Sequence, residues 1–308
     1  MRNSRAYNPM LTGYARVVAQ RNTTPVADAL APPVIVPSAI GQFKRFDTKS
    51  AFQVYKTKRG VGGQSTRITF EGDDPTFNCK AHGLEHAIDD QERDTYGTGD
   101  PLGIERMAVE NLTIGARLSR ESEVFTAINA AVTATAGKGV WGNNANDPIE
   151  EIDGEILAIA TDIGQLPNRI VFGLTAWSRL IHNSNVLGRM PGADLQELNP
   201  GRVARLITLN PAIEIHIGTM VQDNNKPGQT EDKVQLVGDE VYIFFGSQNA
   251  NQMDASFAKT FTLGRGGISQ VRKYRDEKAH SDVVSVDWSQ DIQVTASIAG
   301  RRITTADS

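Results

Sequence analysis

Cysteine is nearly absent from this chain: Cys79 is the single one among 308 residues. One thiol excludes an internal disulfide and any metal site built from several thiolates, which is typical of proteins from a reducing compartment. Long apolar runs are missing too, since no stretch approaches the ~18 consecutive apolar residues of a membrane-spanning helix. The opening residues, Met1-Arg2-Asn3-Ser4-Arg5, lack the apolar core of a secretion signal. We therefore expect neither a membrane protein nor a Sec-exported one.

The overall composition is that of a folded protein. Apolar residues make up 39% and charged residues 22%, with 28 Gly and 13 Pro, which excludes collagen, a coiled coil and global disorder. A chain of this length lies near the upper limit for one hydrophobic core, so one elaborate domain or two smaller ones are expected.

Charge is distributed unevenly along the chain. Residues 1–60 carry ten basic and two acidic side chains, a net charge of +8, which leaves a net charge of −12 on the rest. The basic residues are spread out rather than gathered with aromatic residues, which argues against a nucleic-acid reader. Two interpretations stay open for this segment: a solvated tail, or an arm that lies across the acidic surface of a neighbouring copy.

The first forty residues show no sustained periodicity and contain five prolines: Pro9, Pro25, Pro32, Pro33 and Pro37. Proline removes an amide donor and disfavours helix in the residue before it. This segment is therefore predicted to be an extended, partly ordered arm.

A long hairpin is predicted next. Apolar residues lead to a turn at Gly60-Val61-Gly62-Gly63, and an alternating pattern resumes at 67–70; the apolar residues are Phe43, Phe46, Phe52, Val54 and Tyr55. Acidic residues then cluster between Glu71 and Asp94 without the spacing of an EF-hand. This cluster is interpreted as a solvated face, as a partner for the basic arm, or as a site for a hard cation.

Two helices have clear start signals. Asp100-Pro101 combines an N-cap carboxylate with proline at the first helical position, and apolar residues recur at helical spacing as far as Thr133. A helix over 101–133 would be about 50 Å long and would run the length of the molecule as a spine. Asp147-Pro148 repeats the signal for a second helix, after which helices and strands alternate to about Phe261 in the manner of an α/β subdomain. From Val284 to Ile298 the alternation of apolar and polar residues predicts long, half-buried strands.

One motif invites a catalytic interpretation. His82-Gly83-Leu84-Glu85-His86 fits the H-x-x-E-H pattern of inverted zinc peptidases, which requires a helix so that both imidazoles share a face. Gly83 and the alternation before it favour a strand instead, on which the rings would be about 13 Å apart and too far to share one zinc ion. With no G-x-S-x-G elbow and no context for Cys79 as a nucleophile, no catalytic residue, cofactor or metal site is expected.

Four short segments carry a resemblance to a known family: Ala39–Phe46, Tyr96-Gly97 through Pro101-Leu102, Leu166–Gly173 followed by Trp177, and Val271–Lys278 with Ser281-Asp282. In these motifs and in the order of its segments, from about Ala39 onward, the chain resembles the major capsid proteins of tailed bacteriophages, which have the Hong Kong 97-type fold. The resemblance implies an α+β protein in five parts. These are an N-terminal arm (1–45), an extended loop formed by a β-hairpin (46–92), a peripheral domain with the spine helix (93–146), an α/β axial domain (147–263), and the long strands of the peripheral domain with the C-terminus (264–308).

The same resemblance implies a structural protein and not an enzyme. Such subunits form the hexamers and pentamers of an icosahedral shell, assembled in the host cytoplasm as the virion capsid, around double-stranded DNA that is contained but not read. A separate scaffolding protein, a portal and a decoration protein are the expected partners. An encapsulin shell is an alternative, and a zinc hydrolase using His82, Glu85 and His86 is one of a different class.

Contacts between subunits are expected at the basic arm, the loop with its glycine bend, and the acidic residues after it. The residues assigned to these contacts are Arg16, Arg21, Lys44, Arg45, Lys56, Lys58, Arg59, Gly60, Gly62, Gly63, Asp89, Asp90 and Glu92.

Overall fold

A computed structural model of the chain describes residues 8–21, 26–46, 57–67, 72–96, 103–136, 140–189, 198–225, 228–247, 249–254, 256–264 and 270–305. The helices within them are α1 (Pro9–Arg21), α2 (Val26–Leu30), α3 (Asp90–Tyr96), α4 (Gly103–Ala131), α5 (Pro148–Ile163), α6 (Leu174–His182), α7 (Ser184–Gly188) and α8 (Pro200–Leu206), with a 3-10 helix at Ser297–Ala299. None of these helices combines the length and apolar character needed to cross a membrane.

The strands of the first half are β1 (Pro33–Val36), β2 (Ile40–Gln42), β3 (Arg45–Phe46), β4 (Gly72–Asp73), β5 (Thr76–Asn78), β6 (Lys80–Asp89) and β7 (Ala134–Ala136). Those of the second half are β8 (Arg169–Gly173), β9 (Glu214–Gly218), β10 (Val221–Asp223), β11 (Lys233–Gln235), β12 (Glu240–Phe244), β13 (Ala258–Leu263), β14 (Gln270–Asp276), β15 (Ser281–Val294) and β16 (Gly300–Thr304).

The first sheet is built around β15, a strand of 14 residues. Strands β13 and β14 pair with it in succession along one edge and β6 along the other, so that Gln290 lies opposite both Thr262 and Lys80. Strand β1 adds to β13 in parallel. The predicted long strands of the tail are confirmed as far as Val294, whereas Ile298 lies in the 3-10 helix. Valines at alternate positions of β15 bury one face of this sheet.

Helix α4 covers that buried face. It has 29 residues, which corresponds to about 43 Å, and confirms the predicted spine over Gly103–Ala131. Its predicted start at Asp100-Pro101 lies outside the described residues. Ile104, Ala108 and Val109 of α4 share a core cluster with Val271 of β14 and Val284 of β15. The helix is therefore held by an apolar stripe against the centre of the sheet.

The prediction of an extended arm was wrong for residues 9–21, which form α1. Leu11, Ala15 and Val18 are buried, and α1 packs against α4 and β14 of its own chain. The short helix α2 is buried as well, through Val26, Ala27 and Leu30. Because these apolar residues find partners inside the same chain, α1 and α2 are docked rather than outstretched.

The second sheet has the order β7-β16-β12-β8-β9, and its strands β8, β9 and β12 lie in the segment where alternating helices and strands were predicted. Helix α5 packs on it through a stripe of isoleucines. Asp147 caps this helix as predicted, since its carboxylate accepts the amides of Ile149 and Glu150. The sheet also takes β7 and β16 from outside 147–263, while β13 joins the first sheet, so the chain crosses between the two sheets several times.

Helix α2 joins the spine helix to the second sheet and brings a small group of charges together. Arg120 Nη2 of α4 lies 2.7 Å from Asp28 of α2, and the carboxyl of Glu121 beside it is only 1% exposed. Burial raises the pKa of Glu121 to about 7, and the negative charge of Asp28 adds to this, while Arg117 and Arg120 oppose it. Near neutral pH this carboxyl therefore holds a proton that an exposed glutamate would lose.

Glu121→Gln is expected to remove a pH dependence from the stability of the fold. The native chain keeps a proton that the unfolded chain releases above the ordinary pKa of 4.5, so wild-type stability falls as pH rises from 4.5 towards 7. Urea unfolding should show that the stability of E121Q relative to wild type rises by about 2 kcal/mol between pH 5 and pH 8. Glu277→Gln, at an exposed turn, is the matched control and should follow wild type. Parallel pH profiles for E121Q and wild type would contradict this account.

Candidate assembly surfaces

The base of the predicted hairpin is formed by two short antiparallel ladders. Strand β2 pairs with β5 and β3 with β4, in the register Gly41 opposite Phe77 and Arg45 opposite Asp73. Lys44 Nζ lies 2.8 Å from Asp74 across the ladder. The side chain of Arg45 donates to the carbonyl of Val294 at 3.2 Å, which ties the base to the end of β15.

Aromatic packing anchors this base to the body. The rings of Phe77 and Phe261 stack with centroids 4.5 Å apart, and Phe43 packs on the same ring of β13 at 5.3 Å. Gly41 leaves room for them, because a Cβ at this position would lie 2.5 Å from the ring of Phe77. The hairpin therefore starts from a fixed, buried platform.

The tip of the hairpin, residues 57–67, is exposed at every position. Gly62 has φ +79°, a conformation that glycine adopts without strain, and the amide of Gly63 donates to the carbonyl of Gly60 at 3.0 Å. The predicted bend at Gly60–Gly63 is confirmed. The tip carries Lys58, Arg59 and Arg67 and no acidic residue, so it presents three positive charges around an exposed Val61.

The structure describes only some of the other basic residues that were predicted to make contacts between subunits. Lys56 lies outside the described residues, as do the side chains of Arg16 and Arg21, although the backbone of both arginines belongs to α1. Lys44 and Arg45 lie at the hairpin base, where they bond within the chain. The structure thus brings Lys58, Arg59 and the glycines together at the tip, apart from Lys44 and Arg45.

The acidic residues after the hairpin lie at the end of the first sheet, where β6 leads into α3. Asp89 accepts the amide of Gln91 at 2.8 Å, and Glu92 is half-buried on α3. Both oxygens of Asp90 accept from the guanidinium of Arg275 at 2.6 Å. That bidentate bond lowers the pKa of Asp90. Asp90 is thus already neutralised by an arginine of its own chain.

Asp282 is the centre of this charged group, and sequence reasoning missed it. Its carboxylate lies 2.6 Å from Arg93, 3.3 Å from Arg275 and 3.5 Å from Lys273. Desolvation raises the pKa of Asp282, but bonds and charges from Arg93, Lys273 and Arg275 outweigh it and hold that pKa below its ordinary value. Glu105 of the spine helix accepts from Arg93 and Lys273 as well. The group fastens α3, α4, β14 and β15 to one another, and Ser281-Asp282 beside the Val271–Lys278 motif was the available sequence signal.

The zinc interpretation fails on geometry. His82, Glu85 and His86 lie on strand β6, where positions 82 and 86 face the spine helix and position 85 faces the opposite side. The ring of His82 stacks on Trp288 at 5.5 Å, and Glu85 accepts the hydroxyl of Tyr274 at 2.9 Å. Among the described residues no three histidine, cysteine or acidic side chains are grouped as metal ligands.

Comparison with known proteins relates the chain to capsid proteins. No protein-family model matches it. It is 29% identical over 189 residues to the major capsid protein of Burkholderia phage BcepMu. This alignment covers 57% of the chain and 58% of the phage protein, so the chain spans less than two thirds of that relative's length.

Solved structures extend the likeness over nearly the whole chain. A phage-related protein from Bordetella bronchiseptica RB50 matches with a TM-score of 0.76 at 22% identity, covering 98% of both chains. The encapsulin of Synechococcus elongatus matches with a TM-score of 0.57 at 12% identity, over 93% of this chain and 89% of that one. The mature capsid of bacteriophage PhiM1 matches with a TM-score of 0.55 at 13% identity, over 92% and 87%. The chain has the α+β, Hong Kong 97-type capsid fold that its sequence resemblance implied.

Proposed function

We propose that this chain is the major capsid protein of a tailed bacteriophage and assembles into the hexamers and pentamers of an icosahedral shell. The observation that carries the proposal is the hairpin. Its base is buried by Phe43 and Phe77, whereas all of residues 57–67 are exposed. An exposed cationic bend, in a segment whose base is buried, suits a contact made with another subunit. The sequence similarity to a phage major capsid protein supports the same role.

The proposed division of labour follows the parts of the fold. Residues 46–92 form the extended loop, 93–146 and 264–308 the peripheral domain, and 147–263 the axial domain that meets its copies around each ring axis. The N-terminal arm, 1–45, makes fewer contacts with neighbouring subunits than its charge suggested, since α1 and α2 are docked on their own subunit. Contacts between subunits therefore depend mainly on the tip, through Lys58, Arg59 and the glycine bend.

A shell built this way is held by many weak contacts. An exposed ion pair contributes at most about 1 kcal/mol. Because the same contact is repeated over a closed shell, the total stabilisation becomes large although each single contact is weak. The acidic surface outside residues 1–60 is the complementary partner for the tip, and Asp89 and Glu92 lie on it.

The contents and partners of the shell belong to the same proposal. Double-stranded DNA is enclosed without sequence readout, because an acidic body repels phosphate weakly and leaves the DNA mobile. A separate scaffolding protein and a portal take part in assembly in the host cytoplasm, and a decoration protein binds the finished virion capsid. The role is structural and not enzymatic.

Imaging of the assembled protein tests this function. Shells isolated from producing cells and viewed by electron microscopy are expected to be icosahedral and to protect double-stranded DNA from added nuclease. Shells filled with a cargo protein and free of DNA would support the encapsulin alternative and contradict the capsid proposal. A chain that stays monomeric at every concentration would contradict both.

A further inference from the structure

One side of strand β6 has no partner strand in the part of the chain that the structure describes. Along its other side β6 pairs with β15, in a register that runs unbroken from Lys80 opposite Gln290 to Asp89 opposite Ser281. Most residues of this ten-residue strand are exposed. Proline, a bulge or a very short length commonly protects the edge of a sheet, and β6 has none of these.

Two hydrogen bonds show which backbone groups of β6 point outward. The amide of Asp90 donates to the carbonyl of His280 at 3.1 Å, one step beyond the ladder with β15 and in the same register. On the opposite side of β15, the amide of Thr295 donates to the carbonyl of Phe257. Since backbone groups alternate between the two sides of an antiparallel strand, the even-numbered residues of β6 bond to β15. The amides and carbonyls of residues 81, 83, 85 and 87 therefore point away from β15.

These outward backbone groups are accessible. Ala81, Gly83 and Ala87 are small and exposed, and no described residue bonds to their backbones on the outward side. The carboxylate of Glu85 is held on one face of the sheet by the hydroxyl of Tyr274. We call the outward side of residues 81–87 the β6 edge. A row of donors and acceptors of this kind is a template for a further strand.

The charges at the two ends of β6 select the direction and the source of that strand. Lys80 begins β6 and Asp89 ends it, and both are exposed. A second copy of β6 in antiparallel orientation brings Lys80 of each copy beside Asp89 of the other. A parallel copy would bring like charges together. The β6 edge is therefore complementary to itself about a two-fold axis.

Backbone geometry leaves two antiparallel registers that keep nearly the whole strand paired. Outward residues must lie opposite outward residues, which holds when the two-fold axis passes through Leu84 or through Glu85. An axis at Glu85 would place two carboxylates opposite each other. An axis at Leu84 instead pairs two leucines and sets Glu85 opposite Gly83, so this register is favoured.

We propose that the β6 edge pairs with the β6 edge of a second copy, antiparallel and centred on Leu84, so that two sheets join into one. The hairpin tip takes no part in this contact, so the inference goes beyond the proposed function. In the proposed shell a two-fold contact joins two rings, since the members of one hexamer or pentamer are related by its central axis. Only that consequence rests on the proposed function.

Disulfide trapping in the full chain tests the pairing. Ala81→Cys and Ala87→Cys are made separately in a Cys79→Ala background, so that the introduced thiol is the only one. In the proposed register these two positions lie opposite each other with Cα atoms about 5.5 Å apart, within reach of a disulfide. Two copies of residue 81 would be about 20 Å apart. Diamide oxidation of an equal mixture should form a covalent dimer at least tenfold faster than either variant alone.

Exchanging the end charges provides matched variants for the same measurement. K80E/A81C mixed with A87C should be trapped at least fivefold more slowly, because two acids then meet at one end of the pair. K80E/A81C mixed with A87C/D89K should recover the rate, because opposite charges meet again with their positions exchanged. Thermal melts verify that the variants fold, which is expected because Lys80 and Asp89 are exposed.

Three outcomes would overturn the inference. One is the absence of a covalent dimer from the mixture of A81C and A87C. Another is trapping of A81C alone at the rate of the mixture, which would indicate a parallel or an unspecific contact. The third is a rate that K80E lowers and D89K does not recover. Shells that form without any trapping would reject this pairing and leave the contact of the hairpin tip unaffected.

Discussion

K58E/R59E/R67E is expected to abolish shell assembly while leaving the subunit folded. The three changes turn a tip charge of +3 into −3 on residues that are exposed at every position. Against an acidic neighbour, attraction becomes repulsion at each copy of the contact, and repetition over the shell multiplies the loss. Sedimentation and electron microscopy should find no shells at protein concentrations ten times those at which wild type assembles.

The control for this variant keeps the charge and changes the side chains. K58R/R59K/R67K should assemble as wild type does, and raised salt should weaken assembly of both wild type and this control, because the contacts are exposed. Normal assembly of the charge-reversed variant would show that the tip makes no electrostatic contact. A lower melting temperature of its free subunit would instead place these residues in the stability of the fold.

Asp282→Asn is expected to lower the stability of the subunit by about 2 kcal/mol. Removing this charge leaves Arg93, Lys273 and Arg275 close together with fewer acids to neutralise them, and unpaired charges away from water are costly. Denaturant unfolding of the free subunit measures the loss. Asp90→Asn is the matched control: Asp90 is exposed and has Arg275 as its partner, so its removal should cost much less.

The pH dependence provides a second readout for Asp282. Its pKa in the folded chain is below the ordinary value of 3.8, so its contribution is complete above 3.8 and is lost as pH falls through the folded pKa. The stability gap between wild type and D282N should therefore narrow in acid. A gap that stays constant between pH 6 and pH 3 would assign the loss to packing and not to charge.

Local chemistry predicted the parts of the fold that depend on neighbours in the sequence. Asp147-Pro148 was sufficient to locate the start of α5, because the cap bonds reach only Ile149 and Glu150. Its end is local too, since Gly164 has φ +68° and its amide donates to Ala160. The glycine bend of the hairpin was predicted for the same reason.

Helix α1 shows where that reasoning was incomplete. Asn8 accepts the amides of Met10 and Leu11 and so starts the helix. This start signal was missed because the prolines of the region led to the prediction of an extended arm. What stabilises α1 is distant: the hydroxyl of Thr12 accepts the amide of Val271, 259 residues away. Spacing within the segment carries no information about such a partner.

The candidate contacts show the same difference between features set by neighbouring residues and features set by distant ones. The cationic tip was predicted because its charge and its glycines lie within a few residues of one another. For the acidic residues, the sequence indicated where they lie but not which of them are already neutralised. Asp90 is neutralised by Arg275, which lies 185 residues later in the chain. Which acids remain for another subunit depends on pairings that only the folded chain reveals.

The first sheet joins segments that lie far apart in the sequence, with Pro33 opposite Thr260 and Asp89 opposite Ser281. Translation delivers β1 and β6 first, so these two strands wait for partners, β13 and β15, that are synthesised much later. Pairing across such sequence distances is slow, and the apolar face of the spine helix stays uncovered until it is complete. In the proposed capsid role, a nascent polypeptide consequently has no finished surface for assembly, and completion of β15 sets the earliest moment at which polymerisation can begin.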